Sequence, residues 1–500
     1  MPQQVSLAAK SLFVLGLIAG IIAFIALGIL AYPGLHADAD LFAPVSLNVG
    51  SGRGWITTGY LPLSMARVIA ERYRYDGHGF VMPLLLGRLM GGSTAERLHG
   101  AMGIINAAIF SLHAAIDLVL TSRRALVAVV TALLVGLCAG VIGIALQGRP
   151  EQLALLVAPS LLWIRQAQRR GRPALVVSTV SIALMAGISP LLGFYQWLAR
   201  TVLLALLPGQ TAQAFWGRLL TISSAALALL ALAIQLCTPF SFAVLIRRIL
   251  GYGQNPFLQG YQLLLIGNLQ TEALFWQLPL LAALAVAAAL CIQRRRLLIA
   301  GLLAIPFLLL ARLSGSYLYL PFVPTCWLFL EQWTAGLRLG LRRLWRGCLL
   351  AFLGIYLLLF LRTMVLEVSY LQAEHRFADV KQWVQSVQRQ ARRENLAVGY
   401  ATSRTPSLAI FALPGEELIS VRTFDHDFLR AHYERTHPRR LGYVFVVQEG
   451  HSGVVPPASR DGGRFRLLED RWTRERARLG WLRLGGSAPG YHLALYRRVA

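Results

Sequence analysis

One feature constrains this chain above all others: apolar runs about as long as a helix needs to cross a bilayer, roughly 18–25 residues, recur along most of its length. About eleven such segments are readable, two of them short of a full crossing. They lie near 11–32, 99–121, 125–146, 152–166, 174–195, 197–208, 219–245, 274–292, 297–313, 317–333 and 347–364. Composition points the same way. The 500 residues are 56% hydrophobic and 14% charged, against about 45–50% and about 25% in soluble domains. A string of soluble domains and an intrinsically disordered chain are both excluded. The expected fold class is mainly α: a polytopic transmembrane helical bundle of about eleven spans over residues 1–364. An extramembrane α/β domain is expected over residues 365–500. The run ending at Tyr32 is long for a signal-peptide core and many more follow, so it reads as a retained anchor.

The formal charge of +25 is carried almost wholly by arginine, with lysine only at Lys10 and Lys381. In a soluble protein this surplus would point to nucleic acid. Here it fits positive-inside topology and anionic membrane lipid, so no nucleic-acid partner is expected. A sharper reading has some arginines outside the membrane gripping phosphate, whose oxygens match the guanidinium fork. The clusters Arg123–Arg124, Arg165–Arg172, Arg294–Arg296 and Arg338–Arg346 fall in short connections. Setting these and Lys10 in the cytoplasm gives one alternation, which puts residues 33–98 and 365–500 together on the outer face. Arg247 and Arg248 then lie outside against the trend, through either an exception in topology or an anionic ligand. Compact loops favour a bacterial inner membrane, with the N-terminus cytoplasmic and the C-terminal domain periplasmic. The five cysteines (Cys138, Cys237, Cys291, Cys326, Cys348) have no metal-ligand spacing, and no disulfide framework is expected.

The first outer loop reads as two interfacial helices. Leu61–Arg74 is amphipathic. A second short helix over Pro83–Met90 is broken by Gly91-Gly92, and Ser93 or Thr94 caps the next span. Beyond residue 365 the apolar runs shorten to strand length at Leu396–Ala401, Leu418–Thr423, Gly442–Val447 and Tyr491–Tyr496, after a helix over Ala373–Arg393.

The densest polar cluster follows the first span: Leu35-His36-Ala37-Asp38-Ala39-Asp40-Leu41-Phe42. Carboxylates this close to a bilayer are costly to desolvate and mark functional sites. An aspartate could serve as general base toward a hydroxyl. The alternating spacing of His36, Asp38 and Asp40 could instead hold a divalent metal on one side of an extended chain. An aspartate-capped turn is the third reading. Tyr73-Arg74-Tyr75-Asp76-Gly77-His78-Gly79-Phe80 reads either as a tight loop that approaches a sugar or phosphate closely or as an interfacial turn anchored by aromatics. Pro150 and Glu151 fit a helix start. Arg312 with Tyr317 and Tyr319 marks a membrane boundary, where a snorkelling arginine in an aromatic belt is expected.

In this order the pieces resemble the GT-C glycosyltransferases, in particular the protein mannosyltransferase and aminoarabinose-transferase group. Asp38-Ala39-Asp40-Leu41-Phe42 is similar to that group's Asp-Glu-x-x-Tyr after the first span, with Ala39 in place of the glutamate. Tyr75–Met82 is similar to its Tyr…His-Pro-Pro stretch without the paired prolines. Gly92–Leu98 and Tyr319–Pro324 are similar to its Gly-x-Ser…Arg-Leu and Tyr-x-Leu-Pro-x-x-Pro stretches, and Tyr491–Arg498 to a strand closing its outer domain. The resemblance spans roughly residues 10–330 by layout and four short stretches by motif. It implies transfer of a sugar, with inversion, from a polyprenyl-phosphate donor to a lipid, glycan or protein hydroxyl on the outer face. Asp38, or Asp40 by a shift of frame, would be the base. Arg97, Arg312, Arg247 and Arg248 would hold the donor phosphate. His36, Tyr75, Asp76, His78, Glu151 and Tyr319 are the candidates for binding sugar or acceptor. No cofactor is required on this reading, and a metal at His36, Asp38 and Asp40 is the variant. A diphosphate-using oligosaccharide ligase, a lipid or solute transporter, and a non-catalytic relative are the rivals.

Overall fold

The computed structural model describes residues 172–205, 211–243, 377–402, 438–449, 464–472 and 491–499, pieces within 45–60, 79–89 and 408–420, and a few single positions. In chain order these form β1 (Gly59–Tyr60), α1 (Val81–Leu89), α2 (Arg172–Ile188), α3 (Pro190–Ala205), α4 (Ala212–Cys237), α5 (Phe377–Arg393), β2 (Leu396–Thr402), β3 (Leu418–Ser420), β4 (Arg440–Glu449), β5 (Arg464–Trp472) and β6 (Tyr491–Val499).

The helices α2 and α3 make a sharp hairpin. Ser189 donates its N–H to the Met185 carbonyl at 2.9 Å and accepts from the Gly193 N–H at 3.0 Å, so it belongs to both helices at once. Pro190 is the first residue of α3, a position where its missing N–H costs nothing. Residues equidistant from this corner meet. A Cβ on Gly193 would overlap Ala186, and the Gln196 amide donates to Ser181 Oγ at 3.0 Å. The break falls at Ser189, earlier than the boundary expected between 174–195 and 197–208. Ile188 and Leu191 keep the run apolar straight through the corner, which hides it from hydropathy.

Helix α4 has 26 residues, about 39 Å at 1.5 Å per residue. Thr211 caps its start, accepting from the Ala214 N–H at 3.2 Å. It begins before the expected 219–245 and stops at Cys237, where Thr238 donates its N–H to the Ile234 carbonyl. One stripe is buried (Phe215, Leu219, Ile222, Ala226, Leu230, Ile234). The other faces expose Trp216, Leu220, Leu227, Leu232 and Leu236. Among the described residues it is the one helix long and apolar enough to cross a bilayer, by length and composition.

Five C-terminal strands and β1, from the first loop, build a six-stranded mixed sheet in the order β1-β3-β2-β4-β6-β5. Strands β1, β3, β2 and β4 are parallel, whereas β6 runs antiparallel to β4 and β5 antiparallel to β6. Helix α5 covers one face. Its Val380, Trp383, Val384, Val387 and Ala391 pack on Val398, Tyr400, Tyr443, Phe445, Leu493 and Leu495. The opposite face also carries buried apolar residues, Val444, Val446, Ala494 and Tyr496. Strands buried on both faces read as continuous apolar runs, as β2 and β4 do. The helix expected over 373–393 is described over Phe377–Arg393, strands expected at 396–401, 442–447 and 491–496 are present, and β3 is described over Leu418–Ser420.

Candidate functional site

The residues around the ends of α2, α3 and α4 bring three parts of the chain together. Phe80, at the start of α1, is buried with Ala183, Leu230, Ile234 and Phe240, and such a ring contributes about 1.5–3 kcal/mol by burial. Trp55 meets Phe240 edge-on, with ring centroids 5.7 Å apart. Gly79 lies against the backbone at Ile188 so closely that any Cβ would collide with that carbonyl oxygen. The glycine of the Gly77-His78-Gly79 stretch is therefore required by packing on the hairpin corner. From the same segment, β1 pairs with β3, with Gly59 opposite Leu418 and Tyr60 opposite Ile419. The segment between Trp55 and Leu89 thus touches both the Ser189 end of the helices and the C-terminal sheet.

Inside the hairpin lies a polar seam that hydropathy did not announce. Arg200 is 2% exposed, and Gln196, Ser181, Ser178 and Thr201 are likewise buried. Ser181 Oγ donates onward to the Ser178 carbonyl at 2.9 Å. The Trp197 indole N–H donates to Ser223 Oγ at 2.9 Å, tying α3 to α4. Arg200 sits roughly 16 Å along the helix axis from the Ser189 corner. Arg200 is thus a cation sealed between apolar helices. The signal was present in Trp197-Leu198-Ala199-Arg200-Thr201, a cation within an already short apolar run.

In the C-terminal region Glu394 is the main polar node. It accepts from Tyr443 Oη at 3.0 and 2.9 Å, from Arg497 at 3.1 Å and from Gln390 at 3.2 Å. Burial, and then the Glu394 carboxylate, push the Tyr443 hydroxyl above its usual pKa, with Arg497 opposing. Asn395 follows with φ of 57°, the left-handed conformation that ends helices and that asparagine tolerates. A second node holds Glu416 to Arg439 at 2.7 Å. Gln388 accepts from the Leu413 N–H at 2.7 Å, so the chain before β3 is pinned to α5.

All of the site residues expected from sequence lie outside the described residues: His36, Asp38, Asp40, Tyr75, Asp76, His78, Arg97, Glu151, Arg247, Arg248, Arg312 and Tyr319. Gly79 and Phe80, which adjoin His78, are described and sit at the hairpin corner. Among the described residues no three His, Cys, Asp or Glu side chains converge as a metal site would require. The chain matches no protein-family model and no curated protein.

Proposed function

We propose that this chain is a polytopic membrane glycosyltransferase of GT-C type. It moves a sugar from a polyprenyl-phosphate donor to an acceptor hydroxyl on the outer face of a bacterial inner membrane. The observation that carries the reading is the junction at the Ser189 corner. The loop that begins just after the candidate aspartates packs on the ends of apolar helices and joins the C-terminal sheet, as a reaction on one membrane face needs. On the arginine-based alternation Arg165–Arg172 would start α2 inside, the Ser189 corner would turn outside, and α4 would return to that end.

On this reading Asp38 takes the acceptor's hydroxyl proton, with Asp40 the alternative by register. The oxygen attacks the anomeric carbon, and the bond from that carbon to the phosphate oxygen breaks with inversion. The leaving lipid phosphate keeps the electron pair. Arg97, Arg312, Arg247 and Arg248 are the candidates to hold its growing charge, since stabilising developing charge is commonly the largest catalytic term. The test is turnover by the full chain, reconstituted with a polyprenyl-monophosphate sugar and, separately, with a diphosphate-linked glycan. Asp38→Asn should slow transfer on the order of 10²–10⁴-fold. If Asp40→Asn alone has this effect the register shifts. If both variants stay active the general base is lost.

A second reading, a lipid or solute transporter, is favoured by one observation: the buried Arg200 with its amide and hydroxyl neighbours, since ionisable groups at membrane depth mark transport paths as well as catalytic ones. It requires cargo to cross proteoliposomes unchanged.

A further inference from the structure

The wiring of the C-terminal elements gathers arginine at one end of the sheet. Helix α5 runs into β2 through Glu394 and Asn395, so its last turn, with Arg392 and Arg393, lies beside the start of β2. Leu396 at that start pairs with Arg440 on β4. Tyr443 on β4 pairs with Arg497 on β6, and Arg497 pairs in turn with Arg466 on β5, two residues beyond Arg464. Register partners share a face, so Arg464, Arg466 and Arg497 lie on the side of the sheet that Tyr443 occupies and α5 covers. Like charges face each other directly at Arg466 and Arg497, which is destabilising by itself. The carboxylates at this end are few and already engaged. Glu394 is held by Arg497, and Glu416 by Arg439 and Arg392. Arg393, Arg440, Arg464 and Arg466 are exposed and have no ion pair among the described residues. Farther along β5 the sign changes, at Glu469 and Asp470.

We propose that this rim rests on a bilayer surface and binds the phosphates of anionic phospholipid headgroups, seating the C-terminal domain on the membrane. Guanidinium forks match phosphate oxygens. The four arginines without a counter-charge are spread from β2 across β4 and β6 to β5, about 14 Å at the spacing of neighbouring strands. That breadth suits several headgroups side by side better than one small anion. The same chain carries α4, long and apolar enough to cross a bilayer, with leucines exposed on its outer faces. A lipid surface therefore lies close to any domain joined to it. Near an anionic surface each arginine strengthens attachment about fivefold, and the attraction reaches about 8 Å at physiological salt. The inference rests on the membrane reading of the chain and not on glycosyltransfer.

Hydrogen exchange on the full chain tests it, in nanodiscs of phosphatidylcholine alone and of phosphatidylcholine with phosphatidylglycerol. Among the described strands β5 is outermost on its side, so amides on its free edge exchange readily until a surface covers them. Phosphatidylglycerol should slow exchange at 464–467 and 391–395 about fivefold or more at low salt. Salt near 1 M, which cuts the reach to about 3 Å, should abolish the difference. Exchange at 377–384, the far end of α5, should be equal in the two discs. Arg464→Gln with Arg466→Gln should remove most of the slowing, while exchange at 396–402 in phosphatidylcholine stays that of the parent. Arg464→Lys with Arg466→Lys keeps the charge and should keep the slowing. The rim is overturned as a lipid contact if phosphatidylglycerol changes nothing at 464–467, or if the slowing survives the glutamine pair. It is also overturned if inorganic phosphate protects 464–467 in phosphatidylcholine discs and phosphatidylglycerol does not, which would make it a site for a soluble phosphate compound. Incorporation into the phosphatidylcholine discs tests the membrane reading separately, and a chain that enters neither disc overturns both.

Discussion

Helices α4 and α5 show how differently two parts of this molecule meet their surroundings. Both bury one apolar stripe. On α5 the remaining faces carry Lys381, Gln385, Arg389, Arg392 and Arg393, the amphipathic pattern of a helix lying between a core and water. On α4 the remaining faces are mostly apolar, with Leu220 72% exposed and Leu236 75% exposed, although Gln213, Arg218 and Gln235 are exposed there too. Polar groups follow the opposite rule. Near α5 they gather at the rim, where Glu394 and Glu416 meet arginines that are themselves partly exposed. In the hairpin beside α4 they are sealed inside, as with Arg200 and Gln196. An apolar exterior over a polar seam suits hydrocarbon, and a polar exterior over an apolar core suits water.

The comparison breaks first at the core of the sheet. Trp383 is 6% exposed. It meets Phe445 edge-on at 5.0 Å and carries the Arg471 guanidinium 4.2 Å above its ring. Trp383→Ala should cost about 3–5 kcal/mol. If the two regions are separately stabilised, exchange should accelerate across α5, β2 and β4 while α4 keeps its protection. Loss of protection in both would mean one cooperative unit and would remove the contrast.

The next largest effect bears on the surroundings of α4. Leu227 lies near the middle of the helix and is 55% exposed. Facing lipid, Leu227→Asp should disfavour membrane insertion by about 3–4 kcal/mol. Facing water, the same change should fall within about 0.5 kcal/mol. A membrane-insertion assay of the segment 205–245 in the full chain reads the difference directly.

The same contrast explains which parts were legible in the sequence. Helix α5 follows helical periodicity and strands β2, β4 and β6 stand out as short apolar runs, so each is marked by its own residues. Strand β5 is not. Arg464-Phe465-Arg466-Leu467 alternates, but Leu468-Glu469-Asp470-Arg471 does not, and the register shift between Leu467 and Glu469 breaks the period of two. Its pairing with β6 is specified from outside the segment. Strand β1 is shorter still, and nothing local distinguishes Gly59-Tyr60 from a turn. The corner at Ser189-Pro190 was written in the sequence as a cap followed by a helix-opening proline, yet the apolar residues on both sides outweighed it. The candidate site itself lies outside the described residues: the glycines before Phe80 read as a close approach to a sugar or phosphate, whereas the close approach that Gly79 makes is to the backbone at Ile188.

The smallest effect sharpens the water-facing half of the comparison. Tyr443 gives its hydroxyl to Glu394, and burial together with that carboxylate raises its pKa above the ordinary value of 10.0. Folding therefore favours the neutral phenol. The stability it contributes is whole below about pH 10, the unfolded value, and is lost as pH rises through the higher folded value. Tyr496, also raised, first by burial and then by Asp470, adds to the same alkaline limb. Tyr443→Phe should lower stability at neutral pH by about 1 kcal/mol, the net value of a partly exposed hydrogen bond, and should flatten the alkaline limb without abolishing it. Exchange at 440–449 followed from pH 8 upward, corrected for the intrinsic rate, measures both. An unchanged limb in Tyr443→Phe would mean that the Glu394 node opens before the phenol ionises, leaving Tyr496 as the group that titrates in the folded sheet.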